Sequence, residues 1–273
     1  MMSDVTFGKY YPSSSFVHKM DARAKLILLI LYIVMIFVVK NFYGFLCVAA
    51  FLALAVIAAR IPVTKILKSM RAVLFVILLT VVLNVFFYQG KTQTILWSFK
   101  FIKITKEALL FSAFMAVRLI LLVVGSSLLN LTTTPVALTD GIESLLTPLK
   151  IIKFPVHELA LVMSIALRFI PILASEADRI MNAQKARGAD FESGNLISRA
   201  KAMIPVLVPL LVSAFRRADE LGDAMDARCY SGSTVRTKYK KAKLSYRDFL
   251  GAFIMLAALA GVIVLNVFMG AAV

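Results

Sequence analysis

The sequence predicts an all-α integral membrane protein with about five transmembrane helices and three cytoplasmic amphipathic coupling helices. Three observations carry that prediction. Of the 273 residues, 60% are hydrophobic, and they arrive in long runs that no single soluble globular domain contains. The longer runs approach the ~20 residues needed to cross a hydrocarbon core of about 30 Å. The formal charge of +16, from 31 Lys+Arg against 15 Asp+Glu, is concentrated between the runs. A basic balance can signal nucleic acid, but beside membrane-length runs it fits positive cytoplasmic loops, and no nucleic-acid partner is expected.

In chain order, Leu26 to Ala59 is apolar except for Lys40 and Asn41. One helix of that length would run roughly 51 Å, so two helices turning at Lys40–Phe42 fit better, the first starting near Ala22. Further runs cover Ala72–Tyr88, Ala108–Leu131 (interrupted by Arg118) and Phe249–Val273. The lysine-bearing segment from Lys91 to Lys106 reads as interfacial, with Tyr88 and Trp97 at headgroup depth. The first 25 residues are polar and mixed, so no secretory signal is visible. Cys47 and Cys229 suggest neither a disulfide framework nor a metal cluster.

Counting Lys and Arg in the loops sets the expected orientation. With the N-terminus inside, 25 basic residues fall on that side and 5 outside, with Arg118 in a span. The cytoplasmic side then includes Ser14 and Ser233, and Val273 lies outside. The chain divides into residues 1–131 with four spans, a cytoplasmic region 132–246 and a final span 247–273.

Residues 132–246 differ in kind. Their apolar runs, Leu159–Ala174 and Met203–Phe215, are short and contain Arg168, Pro171, Pro205 and Pro209, which suggests buried or interfacial helices more than spans. Three helices are expected. The first follows Thr139, with Asp140 and Glu143 at capping-box spacing and Pro148 near its end. The second runs from about Val156 to Arg187, with Ser164, Arg168, Ser175, Arg179 and Asn182 in one helical stripe. The third runs from about Leu196 to Arg228. It carries a similar stripe, Ser213, Arg217, Glu220 and Asp223, and Arg216 can pair with Glu220.

The ends of the second and third helices match. EADRIMNAQKARG (176–188) aligns with RADELGDAMDARC (217–229) at an offset of 41. Each ends in Ala-Arg: Ala186-Arg187 before Gly188, and Ala227-Arg228 before Cys229. Gly188 suits a left-handed position after a helix; Cys229 suits it less well, so Gly232 is expected to share that task. One reading is that each arginine only serves its own helix C-terminus, where a cation stabilises by about 0.3–1 kcal/mol. Their duplication, each beside a small alanine, favours two projecting cations meant for acidic sockets on a partner.

Several chemistries lack their residues. No GxxxxGK[ST], HExxH, GxSxG or CxxC occurs, and His18 and His157 do not form a ligand pair, so no catalytic or metal site is expected. The spans carry no Asp or Glu except Glu107 at an edge, which counts against an ion-coupled carrier.

The residues now specific enough to compare are SIALRFIP (164–171), AQKARGADF (183–191) and SAFRRADELGDAMDARCYSG (213–232). TPVALTDGIESLLTPLK (134–150) and HKMDARAK (18–25) add to them. Together they resemble the transmembrane T component, EcfT, of energy-coupling factor (ECF) transporters, and the length is similar to the shared type. Cys229 stands where that family often has glycine, and Ala22 where it often has proline. The resemblance implies a non-catalytic scaffold in the cell membrane of a prokaryote. Its partners would be two ABC-type ATPases, which bind ATP and Mg, and a membrane-embedded substrate-binding S component for vitamins or metal ions. This chain would hold no cofactor itself. Ala186, Arg187, Gly188, Ala227, Arg228 and Cys229 would couple to the ATPases. The small residues Ala160, Ala166, Ala174, Ala202 and Ala214 are expected to form a smooth docking surface for the S component, because small side chains permit close helix approach. Two other classes remain: a conventional ABC importer permease lining its own substrate path, and a membrane enzyme acting on lipid.

Overall fold

The computed structural model describes residues 10–87, 95–99, 102–152, 154–191, 193, 195–230 and 245–269. It is overwhelmingly helical: α1 (Ala22–Val38), α2 (Phe42–Ala59), α3 (Val63–Phe87), α4 (Lys106–Thr132), α5 (Pro135–Leu146), α6 (Val156–Ala186), α7 (Leu196–Asp226) and α8 (Tyr246–Met269). The all-α class therefore holds, with one small addition. The segment expected to lie at the interface contains a short antiparallel hairpin, β1 (Ile95–Phe99) with β2 (Ile102–Thr105), in which Trp97 pairs with Ile104. Tyr88, Gly232, Ser233 and Val273 lie outside the described residues.

Among the described residues five helices are long and apolar enough to cross a membrane, and three of them fall on expected spans. The five are α2, α4, α6, α7 and α8, and α3 adds a sixth if its two pieces, bent by 58° at Ala72, form one span. The first expected span, α1, has 17 residues, about 25 Å, and falls short of the core thickness. α6 and α7 are continuous helices of 31 residues each, close to the expected Val156–Arg187 and Leu196–Arg228, and Pro171, Pro205 and Pro209 lie inside them. Proline removes one backbone donor, and the neighbouring structure can re-satisfy what it frees. Pro209 leaves the carbonyl of Pro205 without its helical partner, and the Gln184 amide of α6 donates to that carbonyl at 3.4 Å.

The chain forms two compact units, residues 153–241 and the remainder from residue 8 onward. In the larger unit, Tyr32, Met35 and Ile36 of α1 pack with Phe45 and Val48 of α2, Phe114 and Leu121 of α4, and Val262 of α8. Close approach of α1 to α4 depends on Gly125, which lies against the Tyr32 ring. The Tyr32 hydroxyl donates to the Leu121 carbonyl at 2.8 Å. Outward surfaces stay apolar, with Leu46, Ile57, Phe75 and Phe253 all exposed, as a lipid-facing surface requires.

Polar side chains satisfy the helix ends of this unit. At one end, the buried Lys25 ammonium donates to the Thr132 carbonyl at 2.9 Å, the Thr133 hydroxyl at 3.3 Å and the His18 carbonyl at 3.4 Å. Buried Asp248 there accepts from the Asp21 and Ser245 amides at 3.0 and 2.7 Å, tying the start of α8 to the start of α1. At the other end the α1–α2 turn exposes carbonyls within the bundle, where water cannot serve them. Arg118 donates to Val39 at 3.0 Å, and Asn266 of α8 donates to Val38 at 2.8 Å while accepting from the Lys40 amide at 3.2 Å. The Arg118 guanidinium also sits 4.9 Å from the Phe114 ring centroid. Arg118, within α4, is therefore a tether for a helix end.

The helix before α6 starts earlier than the sequence suggests. Thr134 caps α5, accepting from the Ala137 amide, and Pro135 occupies the first helical position, so Asp140 lies inside the helix. α5 packs on α1, with Gly141 against Ala22.

Candidate functional site

The smaller unit is built from α6 and α7, which pack on each other. Glu176 of α6 accepts from the Ser213 hydroxyl and from the Arg217 guanidinium of α7, both at 2.7 Å. Glu176 and Arg217 are equivalent positions of the two matched helix ends, so the helices touch where their sequences correspond. Further along, Gln184 of α6 reaches the first half of α7 at Pro205, while Leu221 and Met225 of α7 share a groove with Ile165 and Phe169 of α6. The contacts therefore run antiparallel, so the C-termini of the two helices point in opposite senses. Each helix carries its arginine about 11 residues beyond the Glu176–Arg217 pair, roughly 17 Å at 1.5 Å per residue.

The two helix ends are the same turn built twice. At the first, the Gly188 amide donates to the Lys185 carbonyl at 3.0 Å and the Ala189 amide to Gln184 at 3.0 Å. At the second, Cys229 donates to Asp226 at 2.9 Å and Tyr230 to Met225 at 3.0 Å. Both are Schellman closures, in which the residue after the cap takes a left-handed conformation. Gly188 does so at φ +89° and Cys229 at φ +55°. Cys229 thus fills the glycine position itself, and the turn does not wait for Gly232; the hydrogen-bond pattern outweighs the cost of a Cβ there. Arg187 and Arg228 fall at corresponding cap positions, and both are exposed. Neither guanidinium meets a partner among the described residues. Ala186 and Ala227, also exposed, leave the approach to each arginine open.

The expected docking alanines divide. Ala214 lines the groove against Ile165, Phe169 and Leu173, so it packs α7 on α6. Ala160, Ala166, Ala174 and Ala202 are half-buried. The apolar surface these helices present comes from larger side chains that sequence reasoning passed over: Val162 and Met163 of α6, and Leu207, Val208, Leu211 and Phe215 of α7, all exposed. The Glu176 tie was also missed. Its signal was in the matched ends, where the acid of one repeat aligns with the arginine of the other. Of the expected α7 stripe, Ser213 and Arg217 meet Glu176, whereas Glu220 and Asp223, like Arg216, are exposed.

Residues 13–239 match the family model described as cobalt transport protein, CbiQ. A Clostridium kluyveri protein named energy-coupling factor transporter transmembrane protein EcfT is 49% identical over 252 residues, covering 92% of this chain and 93% of that protein. The chain belongs to the CbiQ/EcfT family. Proteins of the same name from Lactococcus lactis and Bacillus subtilis are 44% and 43% identical, covering 91% and 95% of this chain and 93% and 98% of those proteins. As an EcfT-family member it is a multi-pass membrane protein and the transmembrane component of an energy-coupling factor transporter. The matched region contains both Schellman-capped arginines and most of the larger unit.

Proposed function

We propose that this chain is the non-catalytic coupling scaffold of an ATP-driven importer. Two ABC-type ATPases would bind ATP and Mg and grip its two helix ends, and a separate membrane-embedded S component would carry a vitamin or metal ion. The observation that carries this reading is the pair of exposed arginines on matching Schellman turns at opposed ends of one antiparallel helix pair. A two-fold-like pair of cations suits two similar partners, one at each end. Guanidinium offers five donors in a rigid fork and stays charged, so it can hold a carboxylate-lined socket through repeated cycles. Arg187 with Ala186 and Gly188 would meet one ATPase, and Arg228 with Ala227 and Cys229 the other. The Glu176–Arg217 tie would link the two helices so that movement at one is felt by the other.

In this reading α6 and α7 lie on the cytoplasmic side with the N-terminus, although their length and apolarity would allow a span. Val162, Met163, Leu207, Val208, Leu211 and Phe215 would then face the S component, with Ala160, Ala166, Ala174 and Ala202 allowing close approach. Tagged chain copurified from native membranes should bring two ABC-type ATPase subunits and a small additional membrane protein. If ATPases alone accompany it and support substrate uptake, the chain is instead a permease lining its own path.

A further inference from the structure

We propose that the cleft between α3 and α4 binds the phosphate headgroup of an anionic phospholipid. The cleft encloses about 290 Å³ and is lined by Ser69 and Val73 of α3 and by Leu122, Ser126, Ser127 and Asn130 of α4. That volume is at the lower end for small-molecule sites, about 300–1,000 Å³.

Several hydroxyls on this protein's helices bond back to their own backbone: Ser112 to Ala108, Thr80 to Val76, Thr132 to Leu128 and Ser69 to Lys65. Ser126, Ser127 and Asn130 do not. Among the described residues their side chains have no hydrogen-bond partner, although they sit together on a helix that is apolar from Leu119 to Val124. Polar groups left unpaired at the edge of a hydrocarbon core are costly, so their collection around one cleft calls for a polar occupant.

The surroundings specify its charge and kind. The cleft reaches Leu131, at the end of the bundle where Lys25 holds Thr132 and where Ile61 and Ile66 pack on Leu131. There the first piece of α3, Val63–Arg71, bends by 58° from the second, Val73–Phe87. That first piece carries Lys65, Lys68 and Arg71, all exposed, and no acid. Lys65 stands about one helical turn before the cleft-lining Ser69, and cations on that helix, with hydroxyl and amide groups in the cleft, match a phosphodiester. Leu74, Phe75 and Leu78, exposed on the second piece, continue from the same helix as a surface for acyl chains. A free phosphate would have no use for that apolar continuation.

The test uses the purified full chain, stripped of lipid in neutral detergent, with thermal unfolding followed as short-chain phosphatidylglycerol, short-chain phosphatidylcholine or inorganic phosphate is added. Phosphatidylglycerol should raise the midpoint at lower concentration than phosphatidylcholine, and phosphate alone should not. Ser126→Ala/Ser127→Ala/Asn130→Leu should weaken the phosphatidylglycerol response about tenfold or more, as should Lys65→Gln/Lys68→Gln, whose exposed positions leave the fold intact. Equal responses to both lipids, an equal response to phosphate, or a wild-type response from the lysine variant would overturn the assignment.

Discussion

Replacing Gly125 by alanine isolates the closest packing in the larger unit. A Cβ there would lie 2.1 Å from Cε1 and 2.7 Å from Cζ of Tyr32. That ring cannot swing away. It is 3% exposed, and its hydroxyl is anchored on the Leu121 carbonyl of the same α4. The clash must therefore be relieved by separating α1 from α4, an over-packing cost of about 1–3 kcal/mol. Alanine in place of a mid-helix glycine returns roughly 0.5–1 kcal/mol. The net expectation is a loss of about 0.5–2 kcal/mol. Gly222→Ala is the control, because nothing lies within 4 Å of its added Cβ, and that variant should be as stable as the parent or more so. Thermal unfolding in detergent reads both. In a Tyr32→Leu background the Gly125→Ala penalty should shrink, since contacting residues couple. Equal penalties in both backgrounds, or a Gly125→Ala protein as stable as its parent, would refute the packing argument.

Three further outcomes are expected. Asn266→Leu removes one donor and one acceptor from the α1–α2 turn and should lower stability by roughly 0.6–2 kcal/mol for each lost bond, read as the same unfolding midpoint. Cys229→Gly relieves a left-handed cysteine and should stabilise by about 1 kcal/mol with transport unchanged; a loss of stability would mean the turn relies on the thiol. His18 donates from Nε2 to the Tyr11 carbonyl and accepts at Nδ1 from Ser15, and burial, with Lys25 nearby, holds its pKa below the ordinary 6.5. Because the folded value is depressed, the neutral ring's contribution is complete above pH 6.5 and is lost as pH falls below it. A His18→Gln variant should show a flatter stability profile between pH 7 and 5, and an unchanged profile would remove His18 as the cause.

Much of this architecture was legible because membrane spans and helix repeats are written in long, redundant patterns. The apolar runs located α2, α4 and α8, and the offset repeat located both arginines to the residue. What misled was local. The extents of α6 and α7 were read through Pro171, Pro205 and Pro209, but the Gln184 donor that takes up the Pro205 carbonyl was not, because nothing in a linear pattern announces that partner. The capping box at Asp140 lost to Thr134-Pro135, where the proline fixes the first helical turn. Arg118 and Asn266 were isolated polar residues in apolar text, and their shared target, the turn after α1, is visible only once three helices are assembled. Cys229 shows the same limit from the other side: the repeat demanded a left-handed residue, and the backbone supplied one without glycine.

The central claim is that Arg187 and Arg228 transmit ATPase movement, and ATP-driven uptake by the reconstituted complex tests it most directly. Truncating one side of a desolvated interfacial charge pair costs about 2–5 kcal/mol, whereas an exposed helix-end arginine contributes well under about 1. Arg187→Glu or Arg228→Glu alone should impair uptake, and a lysine at either position should restore only part of it because it lacks the fork. The double reversal, present in the membrane at the parental level, should abolish uptake and loosen the ATPases. A double variant that keeps both ATPases and transports at the parental rate would contradict the account and leave the arginines as helix caps.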